Sequence, residues 1–428
     1  MDTHVKKRQE VYRHIPAFWP DLYGMEYALL DIKTESKQRI LSLREAAQKA
    51  GAIFNKTAGL LRQLEDETLL ELGYPNESLP FLKLKSLPTE SVIARLDLVW
   101  TEYGWKVLEL NADTPTFIKE TFFVNEFICR YFQKINPNKG LQHEMAEAIQ
   151  KAIFTALNSK GASGNPVIVF TSHEDHEEDR LTALFLLELS GLKANYIPLS
   201  LLRVVGEDVI VNGEITVPKG LYTPEGHKID LLYRQTYPIE HLVEDEDPET
   251  KDKVGLLLLQ LVKDGCLAMI NPLSAFLLQS KAIMALIWGL HEERNTFFTE
   301  EEHHEIDSFF LPTYLDKDYF LEQGIKFVKK PSFGREGDTV EIYDENGCIK
   351  QEDAHKTYSG SLPVFQQFVP LPIHKITTVD GQKSAHIMYG CFLINGKASA
   401  VGIRAGGQIT DNASYFLPVA IDDNEEDL

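Results

Sequence analysis

The chain has 428 residues, 43% of them hydrophobic, with 43 basic side chains against 64 acidic ones and a formal charge of −21. That length is enough for two or three structural units with a sizeable core, and the acidic balance excludes nucleic acid and anionic membrane surfaces as default partners. Four cysteines, Cys129, Cys266, Cys348 and Cys391, stand without a CxxC pair, which fits a reducing compartment better than a disulfide scaffold. The N-terminus "MDTHVKKRQEVYRH" has no apolar core, and no window approaches the roughly 18 apolar residues of a membrane span. The sequence therefore reads as soluble and cytoplasmic.

From Tyr27 to Leu72 apolar residues recur at helical spacing without proline, so this region is expected to form helices. After the proline-bearing stretch "YPNESLPFLKLKSLP" comes "RLDLVWTEYGWKVLELNADTPT", Arg95 to Thr116. It alternates like a hairpin. A three-residue loop Glu102-Tyr103-Gly104 would set Asp97 opposite Glu109 and Arg95 opposite Asn111, all four on one face, with Leu96, Leu98, Leu108 and Leu110 on the other. Two carboxylates facing each other repel unless a positive charge stands between them. Two carboxylates and an amide oxygen suit a hard divalent cation such as magnesium, its shell completed by phosphates. Acids on an exposed strand give the same pattern, so the hairpin alone does not choose. The "NADTPT" loop that follows could hold an anionic group.

"NPVIVFTSHEDHEEDRLTALFLLELSGLKANYIPL" reads as one β-α-β unit whose polar loop precedes the helix, where open α/β sheets bind ligands. "PLSAFLLQSKAIMALIWGL" reads as an apolar helix carrying Lys281, a residue that either snorkels to the surface or contacts a phosphate. "HEDH" and "EEHHE" lack the HExxH spacing and read as polar loops, not metal motifs. "IKFVKKPSFGREGDTVEIYDENGCIKQ" is expected to be strand, glycine-bearing loop, strand, tight turn, strand. Lys330 ends the first strand, and Gly334 and Gly337 could let loop NH groups point at phosphates. "VFQQFVPLP" offers backbone groups to a base edge. "AHIMYGCFLINGKASAVGIRAGG" is a hairpin around Asn-Gly.

Taken in order, the Arg95–Asp97 pair, "ELNADTPT", "SHEDHEEDRLTALFL", the segment from Asn271 to Trp288, "KKPSFGREG" and "GIRAGGQITDNASYFLP" resemble the glutathionylspermidine synthase family of ATP-grasp ligases. The resemblance runs from Arg95 to Ile421. It implies an α/β (α+β) fold: an N-terminal mostly helical region over 1–90, a pre-ATP-grasp-like region over 91–270 with the metal hairpin and peptide loops, and an ATP-grasp nucleotide-binding region over 271–428. It also implies amide formation between a glutathione-like peptide carboxylate and a polyamine such as spermidine. The route runs through an acyl-phosphate, with ATP and two magnesium ions.

Carried over by position, Asp97, Glu109 and Asn111 are the expected metal ligands, and Arg95 and Arg404 the expected phosphate-stabilising arginines. ATP falls to Lys281, Lys330, Ser332, Gly334, Glu336, Gly337, Gln366, Gln367, Phe368, Val369 and Gln382. Thr114, Thr116, Glu177, Glu178 and Asp411 are expected at the peptide and amine. Members with an N-terminal cysteine amidase differ: no cysteine precedes the hairpin here, so no amidase activity is expected. The alternative of another class is a non-catalytic nucleotide- or peptide-binding protein on the same scaffold.

Overall fold

The computed structural model describes residues 3–162, 164–335, 337–411 and 414–422. Helix α1 (Lys37–Leu61) starts at Ser36, whose hydroxyl accepts from the Arg39 amide at 3.0 Å. Ile40, Leu43, Ala47, Ala50, Phe54, Ala58 and Leu61 fall on one buried face, the stripe that three- and four-residue spacing dictates. The segment before α1 is not the helix its composition suggested. Lys33–Glu35 pairs in parallel with Val419–Ile421, and Leu29 N donates to Phe416 O at 3.1 Å. Backbone partners from the far end of the chain override local propensity there.

Strands β1 (Ile93–Thr101) and β2 (Gly104–Asn111) form the hairpin, and Asp97 does pair with Glu109 and Arg95 with Asn111. The odd residue, however, is not in the turn. Thr101 pairs with Gly104, which closes a two-residue turn, and the register shifts between Asp97 and Leu98, leaving Leu108 as the extra residue. A bulge breaks the alternation of faces. Leu108 accordingly packs with Val99, Val369, Leu371 and Met388, away from the core that holds Leu96, Leu98 and Leu110.

The β-α-β unit is β3 (Ile168–Ser172), α2 (Glu177–Ser190) and β4 (Asn195–Tyr196). With β5 (Leu231–Gln235) and β6 (Ala268–Ile270) it makes a parallel sheet in the order β6-β5-β3-β4. Every residue of β3 and β5 is buried, as strands covered on both faces must be. The apolar stretch after Pro272 is broken, where one helix was expected. A 3-10 turn spans Leu273–Leu278, and α3 (Ala282–Glu292) begins only after Lys281. "EEHHE" lies inside α4 (Glu300–Phe309), not in a loop, because Thr299 and Glu302 form a capping box ahead of it.

Two antiparallel sheets complete the fold. The first has the order β7-β11-β8-β9-β10, from β7 (Thr313–Tyr314), β8 (Phe327–Pro331), β9 (Glu341–Tyr343), β10 (Ile349–Glu352) and β11 (Pro363–Gln367). The second joins β12 (Ile373–Thr378), β13 (Gly381–Ile394), β14 (Lys397–Gly406) and β15 (Tyr415–Leu417) to the early hairpin, in the order β15-β14-β13-β1-β2. Strand β13 is long enough to pair β12 with its first half and β1 with its second. α1 packs on β13 and β14. The Asn395-Gly396 turn has positive φ at both residues, 49° and 77°, as a type I′ hairpin requires. Among the described residues, no helix is long and apolar enough to cross a membrane.

Candidate functional site

The two antiparallel sheets face each other across a cleft of about 770 Å³, counting its open mouth. One part of its wall is apolar: Leu108 of the bulge, Val328, Val340, Ile342, Leu371 and Met388. The other part is charged. Lys281 Nζ lies 3.3 Å from Glu109 Oε2 and donates to Gly334 O at 3.0 Å. Lys330 Nζ, from the end of β8, donates to Leu108 O at 3.1 Å and to Gln366 Oε1 at 2.8 Å. Burial alone would raise the Glu109 carboxyl, but Lys281, Lys330 and Arg95 together hold it down at about 2. Burial lowers the Lys330 ammonium to about 8, against the pull of Glu109. An apolar slot that runs into paired lysines suits a ring carrying phosphates.

A second cavity adjoins the cleft and is lined by Arg95, Asn111, Thr114, Thr116, Arg335 and Arg404, among others. Arg95 forks onto Asp97, with Nε to Oδ1 at 2.7 Å and Nη2 to Oδ2 at 3.0 Å, and its Nη1 donates to Thr116 O at 2.9 Å. Burial pushes the Asp97 carboxyl up and Arg95 pulls it back, while Asp97 keeps the Arg95 guanidinium protonated against its own burial. Asn111 Nδ2 sits between the two acids, 3.3 Å from Asp97 Oδ2 and 3.3 Å from Glu109 Oε1. A donor thus occupies the place between the carboxylates where a cation would be stabilised.

The donor set fits magnesium. Glu109 carries a carboxylate held low by its cationic neighbours, an amide flip would turn Asn111 Oδ1 toward the same point, and Asp97 would contribute only by loosening its fork with Arg95. Among the described residues, no group of three or more His, Cys, Asp or Glu could hold a metal. The remaining ligands would come from water or from the oxygens of a bound anion.

Two buried devices hold the cavity floor. Gln279 Oε1 accepts from the amides of Ala112 and Asp113 at 2.9 and 3.1 Å, at the break in the apolar stretch where Lys281 N donates to Ser332 O at 2.8 Å. Asp113, in the "NADTPT" loop, forms a buried ion pair with Arg234 of β5, and its Oδ2 accepts from Ile239 N at 3.1 Å.

The structure brings most of the expected residues to these two cavities, though not all. Gly334, Gly337 and Gln366 to Val369 line the cleft. Ser332 lies beneath it, fully buried, its backbone taken by Leu362 and Lys281. Glu336 lies outside the described residues. Gln382 sits exposed at the start of β13, opposite Thr377, six positions along the strand from Met388 and hence roughly 20 Å away. Glu178 lines a small cavity behind Thr116, while Glu177 beside it is exposed. Arg404 Nη2 donates to Asp411 O at 3.1 Å, which ties the two together. Sequence reasoning missed Arg335, which lines both cavities, and Gln279. Arg335 lay within the quoted loop but carried no spacing signal of its own.

Comparison with known proteins gives the family of the chain. The model of the family described as glutathionylspermidine synthase pre-ATP-grasp matches residues 7–422. A Haemophilus influenzae protein named "Putative acid–amine ligase" is 24% identical over 414 residues, covering 94% of this chain and 90% of that one. The solved apo structure of a glutathione synthetase-like effector from Globodera pallida superposes with a TM-score of 0.61 at 12% identity, covering 98% of this chain and 96% of the other. That likeness is one of fold, and it accords with the α/β architecture. The chain belongs to the glutathionylspermidine synthase pre-ATP-grasp family.

Proposed function

We propose that the protein is an ATP-dependent carboxylate–amine ligase that activates a peptide carboxylate as an acyl-phosphate and passes the acyl group to an amine of polyamine type. The observation that carries this reading is a shared wall. Glu109, Arg335, Gly337 and Thr410 line both the lysine-bearing cleft and the arginine-lined cavity. A phosphoryl donor in the first and a carboxylate in the second would meet there, which is the positioning phosphoryl transfer demands. The names of the family and of the Haemophilus relative support it.

In this reading Lys281 and Lys330 neutralise phosphate oxygens, and the apolar slot takes the base beside Gln366 to Val369. Magnesium held by Glu109 and Asn111, with Asp97, would add charge neutralisation on the same phosphates. Arg95 and Arg404 stabilise the charge that builds as the carboxylate oxygen attacks the terminal phosphorus and the bond to ADP breaks. Thr114, whose hydroxyl is buried without a partner, is available to the acid. The amine nitrogen then attacks the acyl carbon, the C–O bond to phosphate breaks, and phosphate departs. Incubation with magnesium, ATP and a panel of small peptides and polyamines, read by product mass, should give the condensed amide with ADP and phosphate. AMP and pyrophosphate would overturn the acyl-phosphate route, and tight ATP binding without any product would favour the non-catalytic alternative.

A further inference from the structure

Behind the arginine-lined cavity lies a narrower one walled by Tyr27, Thr116, Phe117, Glu178 and Arg404, and the two share Thr116 and Arg404. Tyr27 presents its hydroxyl to Glu120 and donates to Oε1 at 2.7 Å. Glu120 is fully buried, and its Oε2 has no hydrogen-bond partner. The residue opens a π-helical turn, Glu120–Val124, four positions after Thr116, the last residue of the "NADTPT" loop. Such turns are rare and recur at functional sites.

A buried carboxylate with an unsatisfied oxygen is costly. Glutamine would accept the Tyr27 hydroxyl equally well, so packing alone does not call for an acid here. Burial, and then the charge of Glu178 on α2, push Glu120 up to about 7, against the Tyr27 hydrogen bond and the neighbouring Lys119. The charge of Arg404 of β14 pulls on the Tyr27 hydroxyl in the opposite sense to Glu120 and Glu178. The carboxyl is thus poised to gain or lose a proton near neutral pH.

Resting on the ligase reading above, we infer that Tyr27 and Glu120 take up the proton released by the attacking amine. Tyr27 acts at the cavity wall, and Glu120 acts through it. The amine, an ammonium in solution, gives one proton to water on entering; as the C–N bond forms and the C–O bond to phosphate breaks, its remaining N–H proton passes to Tyr27 Oη while the phenol proton passes to Glu120 Oε1. Glu120 ends as the neutral acid and Tyr27 is again a phenol. The proton returns to solvent by the same path. Tyr27 is the residue that would touch the amine; Glu120 positions and drains it.

The test compares Tyr27→Phe, Glu120→Gln and Glu120→Asp with the unaltered protein, using magnesium, ATP and an accepted acid with either the amine or hydroxylamine. Hydroxylamine is largely neutral at pH 7, so it attacks an acyl-phosphate without first shedding an ammonium proton, and its attack product is acidic enough to lose its proton to water. In Tyr27→Phe and Glu120→Gln the ratio of amide to hydroxamate should fall roughly 100-fold. The rise of kcat/KM for the amine across about pH 7 should vanish in Glu120→Gln and persist in Glu120→Asp. Tyr27→Phe keeps the ring and serves if Glu120→Gln does not fold. Equal losses of amide and hydroxamate, or no loss of either, would overturn the assignment and leave the ligase reading standing. Failure of the unaltered protein to form either product would overturn both.

Discussion

Lys330 carries a charge that pH can remove within reach of experiment. Burial lowers it from 10.5 to about 8, so above pH 8 the folded protein increasingly presents a neutral amine to the cleft. If Lys330 contacts phosphate, ATP affinity should weaken as pH rises through 8, and Lys330→Arg should flatten the profile because a guanidinium stays charged. Calorimetric Kd values on both sides of pH 8 read this, and a flat profile for the unaltered protein would remove Lys330 from the phosphates. For folding the sense is reversed. Between 8 and 10.5 the unfolded lysine binds the proton the folded one has lost, so this group's stability contribution is present above 10.5 and lost as pH falls through 8. Glu109, held at about 2 by its cationic neighbours, stays ionised throughout. Glu109→Ala should lower turnover by more than roughly 100-fold with an unchanged circular dichroism spectrum, and an active variant would remove the metal assignment. Glu109 was legible because polar side chains stood on one face of an alternating hairpin, and Lys330 because it ended a strand just ahead of a glycine-bearing loop. Tyr27, Glu120 and Arg335 carried no such signal, since their meaning depends on what packs beside them.

At the scale of the element, the hairpin register could be read because the turn and the bulge each shift pairing by one residue. Placing the extra residue in the turn gave the right partners for Asp97 and Arg95. It gave the wrong face for Leu108, which the bulge at that position turns to the cleft. The loop after β8 depends on another local geometry. Gly337 has φ of +73°, and a Cβ there would lie 2.3 Å from Thr410 O. Gly337→Ala therefore adds strain of about 1–3 kcal/mol and must move the wall shared by both cavities. ATP KM should rise while the melting temperature changes little; an unchanged KM would show that the loop takes no part in nucleotide binding. The interruption around Gln279 was invisible in an apolar stretch of helical composition, because the carbonyl that takes the Lys281 amide, Ser332 O, belongs to a loop further along the chain.

Across the whole molecule, the hairpin that opens the site is completed by strands from the chain's end: Asp97 pairs with Gly390 and Arg95 with Phe392. Asn271 fastens this assembly to the parallel sheet through five hydrogen bonds, accepting from Val92 N and Ile93 N and donating to Ile93 O, Ala112 O and Asp113 O. Asn271→Ala should cost about 2–4 kcal/mol in urea denaturation and lower activity as well, because the loop carrying Thr114 loses its anchor. A stable but inactive variant would show that Asn271 serves the site without supporting the fold. What the sequence determined by itself is whatever local spacing and chemistry settle: the polar face of the hairpin, the β-α-β unit, the Asn-Gly turn, the glycine loop, and family membership through ordered motifs. Only the tertiary structure decided which distant strands complete the sheet, which side of the cleft Leu108 faces, and that Gln382 stands away from it. The first rests on contacts between residues hundreds of positions apart and the others on a bulge and a strand pairing, and no local side-chain pattern encodes any of them.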